Sequence, residues 1–200
     1  ENKRIKKDIP CQWKPIKSRS STLTSGKIDF KKKTMKETKK VIYNNRGSLQ
    51  QEDITAGNIH APNAGAPRYL KQILLELKRE LDPNTIIGGD FNTPLSALDR
   101  SSGQIIQTEI KKETSDLIYT TDQMDLLDIY RTFHSVTAQC TFFYSAHGSF
   151  SRTDLTLGHK TSLKSFKKIK IISSIFSDHN GIKLEINNKR NFGNYTAHRN

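Results

Sequence analysis

Four short segments of the sequence carry side chains that can act on a phosphate ester. Carboxylates select hard ions such as Mg²⁺, and a histidine oriented by an aspartate can serve as a general base or contact a phosphate. The pattern indicates metal-assisted hydrolysis of a phosphoryl group, with the alternative that each acid only caps a loop or stabilises a turn. The segments are His60-Ala61-Pro62-Asn63, Asp90-Phe91-Asn92, Asp154 and Ser177-Asp178-His179.

The elements that must position these residues are clearest around Asp90. Leucine and isoleucine recur at helical spacing from Leu70 to Leu81, so a helix opened by Pro67 and ended by Asp82-Pro83 is predicted there. The next apolar run, "TIIGGD", predicts a buried strand that delivers Asp90 to the loop at its end. This order of elements is typical of an α/β fold with its site at the strand ends.

Other segments predict further strands and a second helix. The run "EDITAGNIHAPN" is interpreted as a strand weakened at Ala56 and Gly57, because neither residue offers a β-branched surface for packing. A helix capped by Ser115 leads into "LLDIYRTF", interpreted as a strand. The segments "CTFFYSAHGSFSRTDLTLG" and "IKIISSIFSDHNGIKLEI" each predict a pair of strands, and the second pair flanks the loop that holds Asp178 and His179.

Length and composition limit the classes of protein to be considered. The chain has 200 residues, 34% of them hydrophobic, and two cysteines that lie far apart. This predicts a single domain without a disulfide framework or a thiolate zinc site. No apolar run approaches the roughly 20 residues that span a bilayer, and no apolar segment follows the N-terminal charges. We therefore expect no membrane partner, no secretion, and a nuclear or cytoplasmic location.

The positive charge is concentrated at the front of the chain. Of a formal net charge of +13, residues 1–50 contribute +11, from 15 Lys and Arg against four acids. Clustered positive charge attracts phosphate polyanions, whereas a solvated tail would bind any acidic partner nonspecifically. Residues 1–46 also lack apolar periodicity and are predicted to be poorly ordered.

Four motifs, in this order along the chain, resemble the endonuclease domain of the mammalian LINE retrotransposon second-frame protein, within the endonuclease/exonuclease/phosphatase superfamily. They are "NIHAPN", "IIGGDFNTPLSALDR", "SFSRTD" and "SDHNGIKLE". The likeness includes linking text such as "QQEDIT", "LLDIYRTFH" and "CTFF". It implies an α/β (α+β) fold, a four-layer sandwich of two packed β-sheets flanked by helices, incomplete at the N-terminus. Residues 1–46 and a tail at 190–200 would then flank an endonuclease-like domain at 47–189.

The resemblance implies a Mg²⁺-dependent site that nicks DNA to start target-primed reverse transcription. Asp90 matches the residue that positions or activates the attacking water, and Asn92 matches the residue that orients the scissile phosphate. Asp154 matches the acid that orients His179 toward that phosphate. Asp178 matches an acidic residue beside the metal.

Further positions match the family's DNA-binding surface. The implied partner is DNA, bound by a monomer, with nonspecific RNA binding as an alternative. Residues 145–150 match a hairpin loop that lies against DNA. The positions implied to contact DNA are Thr141, His147, Ser149, Phe150, Arg152 and Ser177.

Two departures from the family pattern bear on activity. His60 stands where the family has a catalytic-site tyrosine, and the imidazole can donate to a phosphate with a different reach. Nothing in residues 1–46 matches the family's N-terminal Asn motif or the Glu that is its principal metal ligand. We therefore expect weak Mg²⁺ binding and impaired hydrolysis. The alternatives are a catalytically inactive, basic nucleic-acid-binding fragment and a translated retrotransposon fossil that folds poorly.

Overall fold

The computed structural model describes residues 31–38, 42–49, 52–100, 111–144, 148–175 and 177–186. Within these ranges the α-helices are α1 (Ala66–Leu77), α2 (Lys112–Gln123) and α3 (Ile129–Phe133). The strands are β1 (Lys31–Thr38), β2 (Ile42–Leu49), β3 (Glu52–Ile59), β4 (Thr85–Asp90), β5 (Leu126–Asp128), β6 (Phe142–Tyr144), β7 (Ser149–Ser151), β8 (Asp154–His159), β9 (Phe166–Ile172) and β10 (Gly181–Ile186).

The largest sheet has six strands in the order β1-β2-β3-β4-β8-β5. Strands β3 and β4 run parallel, because α1 carries the chain back across the sheet between them. Strand β8 then lies antiparallel to β4. The end of β4 and the start of β8 therefore meet at the same edge of the sheet.

One face of this sheet is covered by α1 and α2. The residues of the predicted helical stripe from Leu70 to Leu77 are buried against Ile87 of β4 and Leu155 and Leu157 of β8. The predicted helix and the predicted strand "TIIGGD" are both confirmed. Leu81 lies beyond the end of α1 and is partly buried against the same cluster.

The opposite face packs against a second, two-stranded sheet of β9 and β10. Here Ile129 and Tyr130 of α3 form an apolar cluster with Phe166 and Ile169 of β9. A Cβ atom on Gly158 of β8 would lie 3.0 Å or less from side-chain atoms of Ile129 and Phe166, so glycine lets the layers approach closely. The predicted α/β sandwich of sheets flanked by helices is therefore confirmed.

The front of the chain contributes more to this sheet than its composition predicts. Strands β1 and β2 pair antiparallel, and β2 also pairs with β3. Part of the segment 1–46 therefore forms strands, and Gly47 lies inside β2. These ladders consist of backbone hydrogen bonds, which require no apolar periodicity. The first 30 residues and the predicted tail at 190–200 lie outside the described residues.

The strand interpreted as weakened is an unbroken strand of eight residues. Ala56 of β3 pairs with Asn45 of β2 on one side and with Ile86 of β4 on the other, and Gly57 is paired on both sides as well. Two neighbouring strands thus satisfy the backbone where the side chains offer little packing surface.

Two local predictions differ from the structure. The helix predicted to be capped by Ser115 begins at Lys112, and Ser115 lies within its first turn. The segment "LLDIYRTF" is a three-residue strand followed by helix α3, because the Asp128 side chain accepts hydrogen bonds from the backbone N–H groups of Tyr130 and Arg131 and caps a helix there.

The segment "CTFFYSAHGSFSRTDLTLG", predicted as two strands, forms three, whereas the pair predicted in "IKIISSIFSDHNGIKLEI" is confirmed. Strands β6 and β7 form a short antiparallel hairpin, and β8 follows after two residues. Strands β9 and β10 pair antiparallel and flank the segment that contains Asp178 and His179.

Candidate active site

Two carboxylates face each other where β4 ends and β8 begins. Asp90 is the last residue of β4, Asp154 is the first residue of β8, and the two are direct cross-strand partners. A backbone hydrogen bond of 2.8 Å from Phe91 N to Thr153 O extends this contact beyond the strands. The sheet therefore brings together two acids that are distant in sequence.

His179 comes from the loop before β10 and lies against both acids. Its Nδ1 is 2.8 Å from Oδ2 of Asp154, and its Nε2 is 4.0 Å from Oδ2 of Asp90. The ring also packs on Phe142, with 4.6 Å between the ring centroids, and His179 forms an isolated β-bridge with the same residue. Because a carboxylate only accepts, Nδ1 of His179 donates to Asp154, and Nε2 is directed toward Asp90.

Asp90 is nearly buried, with 7% of its surface exposed. Its Oδ1 accepts a 3.0 Å hydrogen bond from Asn92 N, and its Oδ2 lies 3.5 Å from Nδ1 of His60. Burial raises the pKa of Asp90 above its ordinary value of 3.8, and the nearby charge of Asp154 adds to the increase, although the Asn92 N–H lowers it. Asp90 is therefore a stronger proton acceptor than an exposed aspartate.

The pKa of His179 is also raised, above its ordinary value of 6.5. The hydrogen bond to Asp154 is the largest cause, and the negative charges of Asp154, Asp90 and Asp178 add to it, whereas burial acts in the opposite direction. The imidazolium form is thus more stable than in an ordinary histidine. A positive, donating Nε2 suits contact with a phosphate oxygen.

Asn92 and His60 complete the surroundings of Asp90. Asn92 has a φ of 47°, in the left-handed region that asparagine tolerates, and its Nδ2 donates a 2.6 Å hydrogen bond to Ala61 O. This bond holds the amide in place two residues after Asp90. Nδ1 of the half-buried His60 side chain is buried and has no hydrogen-bond partner.

Gly89 sets the backbone conformation at the end of β4, directly before Asp90. Its φ is 135°, and a Cβ atom there would lie 2.1 Å from Ile59 O and 2.8 Å from Oδ1 of Asn58. Only glycine fits this close approach of β4 to β3. The position of the Asp90 carboxylate thus depends on a residue without a side chain.

Two residues predicted to contact DNA are buried instead. The side chain of Arg152 is fully buried, and its Nε donates a 2.9 Å hydrogen bond to Oδ1 of Asp99 while Nη2 donates to Asp128. Thr141 is also fully buried, and its Oγ1 accepts a 3.1 Å hydrogen bond from Asp154 N. The DNA-contact predictions for Arg152 and Thr141 are therefore wrong. Thr141 instead holds the backbone of Asp154.

The other predicted DNA contacts lie on or near the surface. Phe150 is 50% exposed and packs on the exposed Phe143, with 4.6 Å between ring centroids. Ser149 is half-buried, and Ser177 is exposed. Their contact with DNA stays a prediction. His147 lies outside the described residues.

The donor atoms around Asp90 fit Mg²⁺. Ligand atoms of Asp90, Asp154 and His179 all lie within 4.8 Å of one another. Mg²⁺ binds through one or two carboxylates and retains waters, so the two aspartates suit this ion. The imidazole of His179 is then not needed as a ligand and can contact the phosphate. Asp178 is outside this group: it is exposed, and its Oδ1 accepts a 3.4 Å hydrogen bond from Ser177 Oγ. Its role beside the metal stays a prediction.

The sequence offers little signal for two residues that shape the site. Phe142 supports the His179 ring, yet "CTFF" marks it only as an apolar residue in a strand. Asp99 is fully buried and binds both Arg152 and Arg131. Its partner Arg152 is 53 positions away, so no local pattern reveals the pair.

The fold of this chain is similar to those of three solved nucleases. The endonuclease domain of TRAS1, a telomere-specific non-LTR retrotransposon, matches with a TM-score of 0.58 at 18% identity, over 72% of this chain and 63% of that chain. An AP endonuclease from Archaeoglobus fulgidus matches with a TM-score of 0.58 at 14% identity, over 72% of this chain and 64% of that chain. A 3'-5' exonuclease from Neisseria meningitidis matches with a TM-score of 0.58 at 15% identity, over 72% of this chain and 64% of that chain.

The chain spans less than two thirds of the length of these three structures. No model of a known protein family matches it. In the described part of the chain, no helix is long and apolar enough to cross a membrane. The likeness nevertheless shows that the described part of this chain shares the fold of these three nucleases.

Proposed function

We propose that this chain hydrolyses phosphodiester bonds of DNA, as an endonuclease of the LINE retrotransposon type. The observation that carries the proposal is the row formed by Asp154, His179 and Asp90 at one sheet edge. In this row the Asp154 carboxylate orients the imidazole of His179, and the imidazole lies next to Asp90, whose pKa is raised. An acid and a base with separated roles are what in-line hydrolysis of a phosphate ester requires.

Asp90 acts as the base in this proposal. It accepts a proton from a water whose oxygen forms a bond to phosphorus, while the bond from phosphorus to the 3' oxygen of the deoxyribose breaks. The 3' oxygen takes up a proton from solvent water and becomes a hydroxyl, which is the group that target-primed reverse transcription would extend. The Asn92 amide, fixed by Ala61 O, orients the phosphate beside Asp90.

His179 acts on the charge that develops on phosphorus-bound oxygens. The hydrogen bond from its Nδ1 to Asp154 keeps the ring in place, so that Nε2–H points at the phosphate. His60 is a second donor close to Asp90. His179 is held before the substrate arrives, which lowers the reorganisation needed in the transition state.

Asp90 and Asp154 are the described residues that would hold a Mg²⁺ ion, with Asp178 as a further candidate. Such an ion neutralises charge on the phosphate when it is bound. Because the sequence has no match to the family's Glu ligand, we expect weaker ion binding and slower hydrolysis than in a domain with that Glu.

Relaxation of supercoiled plasmid tests this proposal. We expect nicked circles to accumulate in Mg²⁺ and not in a chelator, and Asp90→Ala to remove the activity. Asp116→Ala, which removes an exposed acid of α2, is the matched control and should nick like the unchanged chain. Equal nicking by the Asp90 variant and the unchanged chain would refute the proposal.

A second candidate is a nucleic-acid-binding fragment without catalysis, in the nucleus or cytoplasm. The charge of +11 in residues 1–50 favours it, because phosphate contacts from lysine and arginine need no active site. This candidate predicts salt-sensitive DNA binding that falls when residues 1–46 are deleted, together with no nicking. A chain with no cooperative thermal transition would instead be a fossil that does not fold.

A further inference from the structure

The sheet of β9 and β10 has two chemically different faces. Most apolar residues of both strands face the core, where Ile169 is fully buried and Ile171, Ile182 and Leu184 are partly buried, whereas Ile172 at the end of β9 is 50% exposed. Side chains alternate between the two faces of a strand, so the residues between these point the other way. That outer face presents lysines.

Three exposed lysines share the outer face, namely Lys168, Lys170 and Lys183. Lys170 and Lys183 are direct cross-strand partners in the ladder. Like charges directly opposite each other destabilise an antiparallel pair. The ladder holds these two positive charges close together at a fixed spacing. Their combined positive potential favours an anionic partner.

Glu185 is the one acid on this face among the residues that the structure describes. It is the cross-strand partner of Lys168, and its Oε1 lies 3.0 Å from Nζ of Lys183. Lys183 lowers the pKa of Glu185 most, and Lys167 and Lys168 lower it further. Several lysines therefore act on one carboxylate, and the face remains positive overall.

The lysine face starts beside the candidate active site. Strand β10 begins two residues after His179, and Lys183 lies four residues after it, which is about 13 Å along an extended strand. We propose that the outer face of β9 and β10 binds the phosphate backbone of duplex DNA that flanks the scissile phosphate. This inference rests on the proposed function, since it supplies a longer footprint for the same substrate.

The chemistry of the face favours backbone phosphates over bases. Neighbouring lysines of one strand lie about 6.7 Å apart, which is twice the rise per residue of a strand, so they form a row of charges that a polyanion can follow. No aromatic side chain lies on this face in the described part of β9 and β10, so it has no platform on which a base could stack. Binding to this face would therefore be independent of DNA sequence and sensitive to salt.

Binding of a labelled duplex by the full chain, measured in a chelator so that no cleavage intervenes, tests the inference. In the variant Lys168→Gln/Lys170→Gln/Lys183→Gln we expect affinity at low salt to fall about tenfold or more. The slope of log affinity against log salt should fall by about three, close to one for each lysine that no longer neutralises a phosphate.

The matched control is Lys78→Gln/Arg79→Gln/Lys112→Gln, which removes the same charge from exposed positions of the α1 and α2 region. We expect it to keep most of the affinity and nearly the full slope. Equal losses in the two triple variants would overturn the inference, because net charge would then explain them. Competition by a polyglutamate peptide as strong as competition by unlabelled duplex DNA would also overturn the inference, since the face would then fit an acidic protein.

The single variant Lys170→Glu separates binding from folding. It places opposite charges across the ladder at Lys183, so the thermal midpoint should rise while DNA affinity falls. A fall in both would show that Lys170 serves the fold, and would overturn the inference. A chain that binds DNA through this face and does not nick it overturns only the proposed function.

Discussion

Nδ1 of His179 lies 2.8 Å from Oδ2 of Asp154, although 25 positions separate the two residues in the chain. The contact forms because β8 begins at the sheet edge where the loop before β10 passes. It sets which ring nitrogen donates, raises the pKa of His179, and leaves Nε2 directed toward Asp90. Asp154 is therefore the largest cause of the raised pKa of His179.

The first prediction concerns the pH dependence of nicking. If His179 acts as the imidazolium, its raised pKa extends activity to higher pH than an ordinary histidine would allow. Asp154→Asn removes the charge that raises this pKa, so the alkaline limb of the pH–rate profile should move to lower pH. The rate at pH 7 should fall by about 10²-fold, the lower range for loss of one preorganised hydrogen-bond donor. An alkaline limb that does not move would contradict the role given to Asp154.

The second prediction concerns stability at the site. The pKa of Asp90 is raised in the folded state, so the folded chain binds this proton more tightly than the unfolded chain does. Ionised Asp90 therefore destabilises the fold as pH rises through its raised pKa, and Asp90→Asn should have the higher thermal midpoint at pH 7. The difference should vanish below the ordinary pKa of 3.8. A variant that is less stable at pH 7 would show that ionised Asp90 supports the fold.

The third prediction concerns the buried charges under the site. Arg152→Ala strips Asp99 and Asp128 of a buried partner and should lower the free energy of unfolding by about 3–5 kcal/mol. The control is Arg68→Ala, which breaks an exposed pair with Glu113 and should lower it by at most about 1 kcal/mol. Urea denaturation measures both. Equal losses of unfolding free energy in the two variants would mean that the buried Arg152 cluster stabilises the fold no more than the exposed Arg68–Glu113 pair does.

The fourth prediction compares adjacent glycines of β4. Gly89→Ala forces a Cβ atom against Ile59 O at a positive φ, so we expect a loss of at least about 2 kcal/mol and a displaced Asp90. Gly88→Ala places its Cβ 3.7 Å from Leu155 O, an ordinary contact, and should change stability by about 1 kcal/mol at most. Thermal melts of the two variants measure the difference. Similar midpoints would contradict the close approach of β3 and β4.

Much of the fold and the site is predictable where local sequence and burial agree. The stripe from Leu70 to Leu77 predicts α1 because one helical face must be apolar to cover the sheet. "TIIGGD" predicts β4 because a central strand is apolar on both faces. The polar residues at strand ends then indicate which side chains meet, and Asp90, Asp154 and His179 do meet.

The remaining features depend on contacts that local sequence does not encode. Strands β1 and β2 form through backbone pairing, which leaves no apolar pattern. Helix α3 follows from the Asp128 cap, because its residues would suit a strand equally well. Arg152 looks like a DNA contact in "SRTD", and only Asp99, brought beneath it by the fold, makes it a buried structural residue.

The most direct test of the proposed role of His179 is single-turnover cleavage of a labelled DNA duplex in Mg²⁺ by two histidine variants. His159 lies at the opposite end of β8 from Asp154, and its Nδ1 contacts Oγ1 of Thr161. We predict that His179→Ala slows cleavage by at least about 10²-fold while His159→Ala retains the rate of the unchanged chain. Cleavage by His179→Ala at the rate of the unchanged chain would contradict hydrolysis at this site.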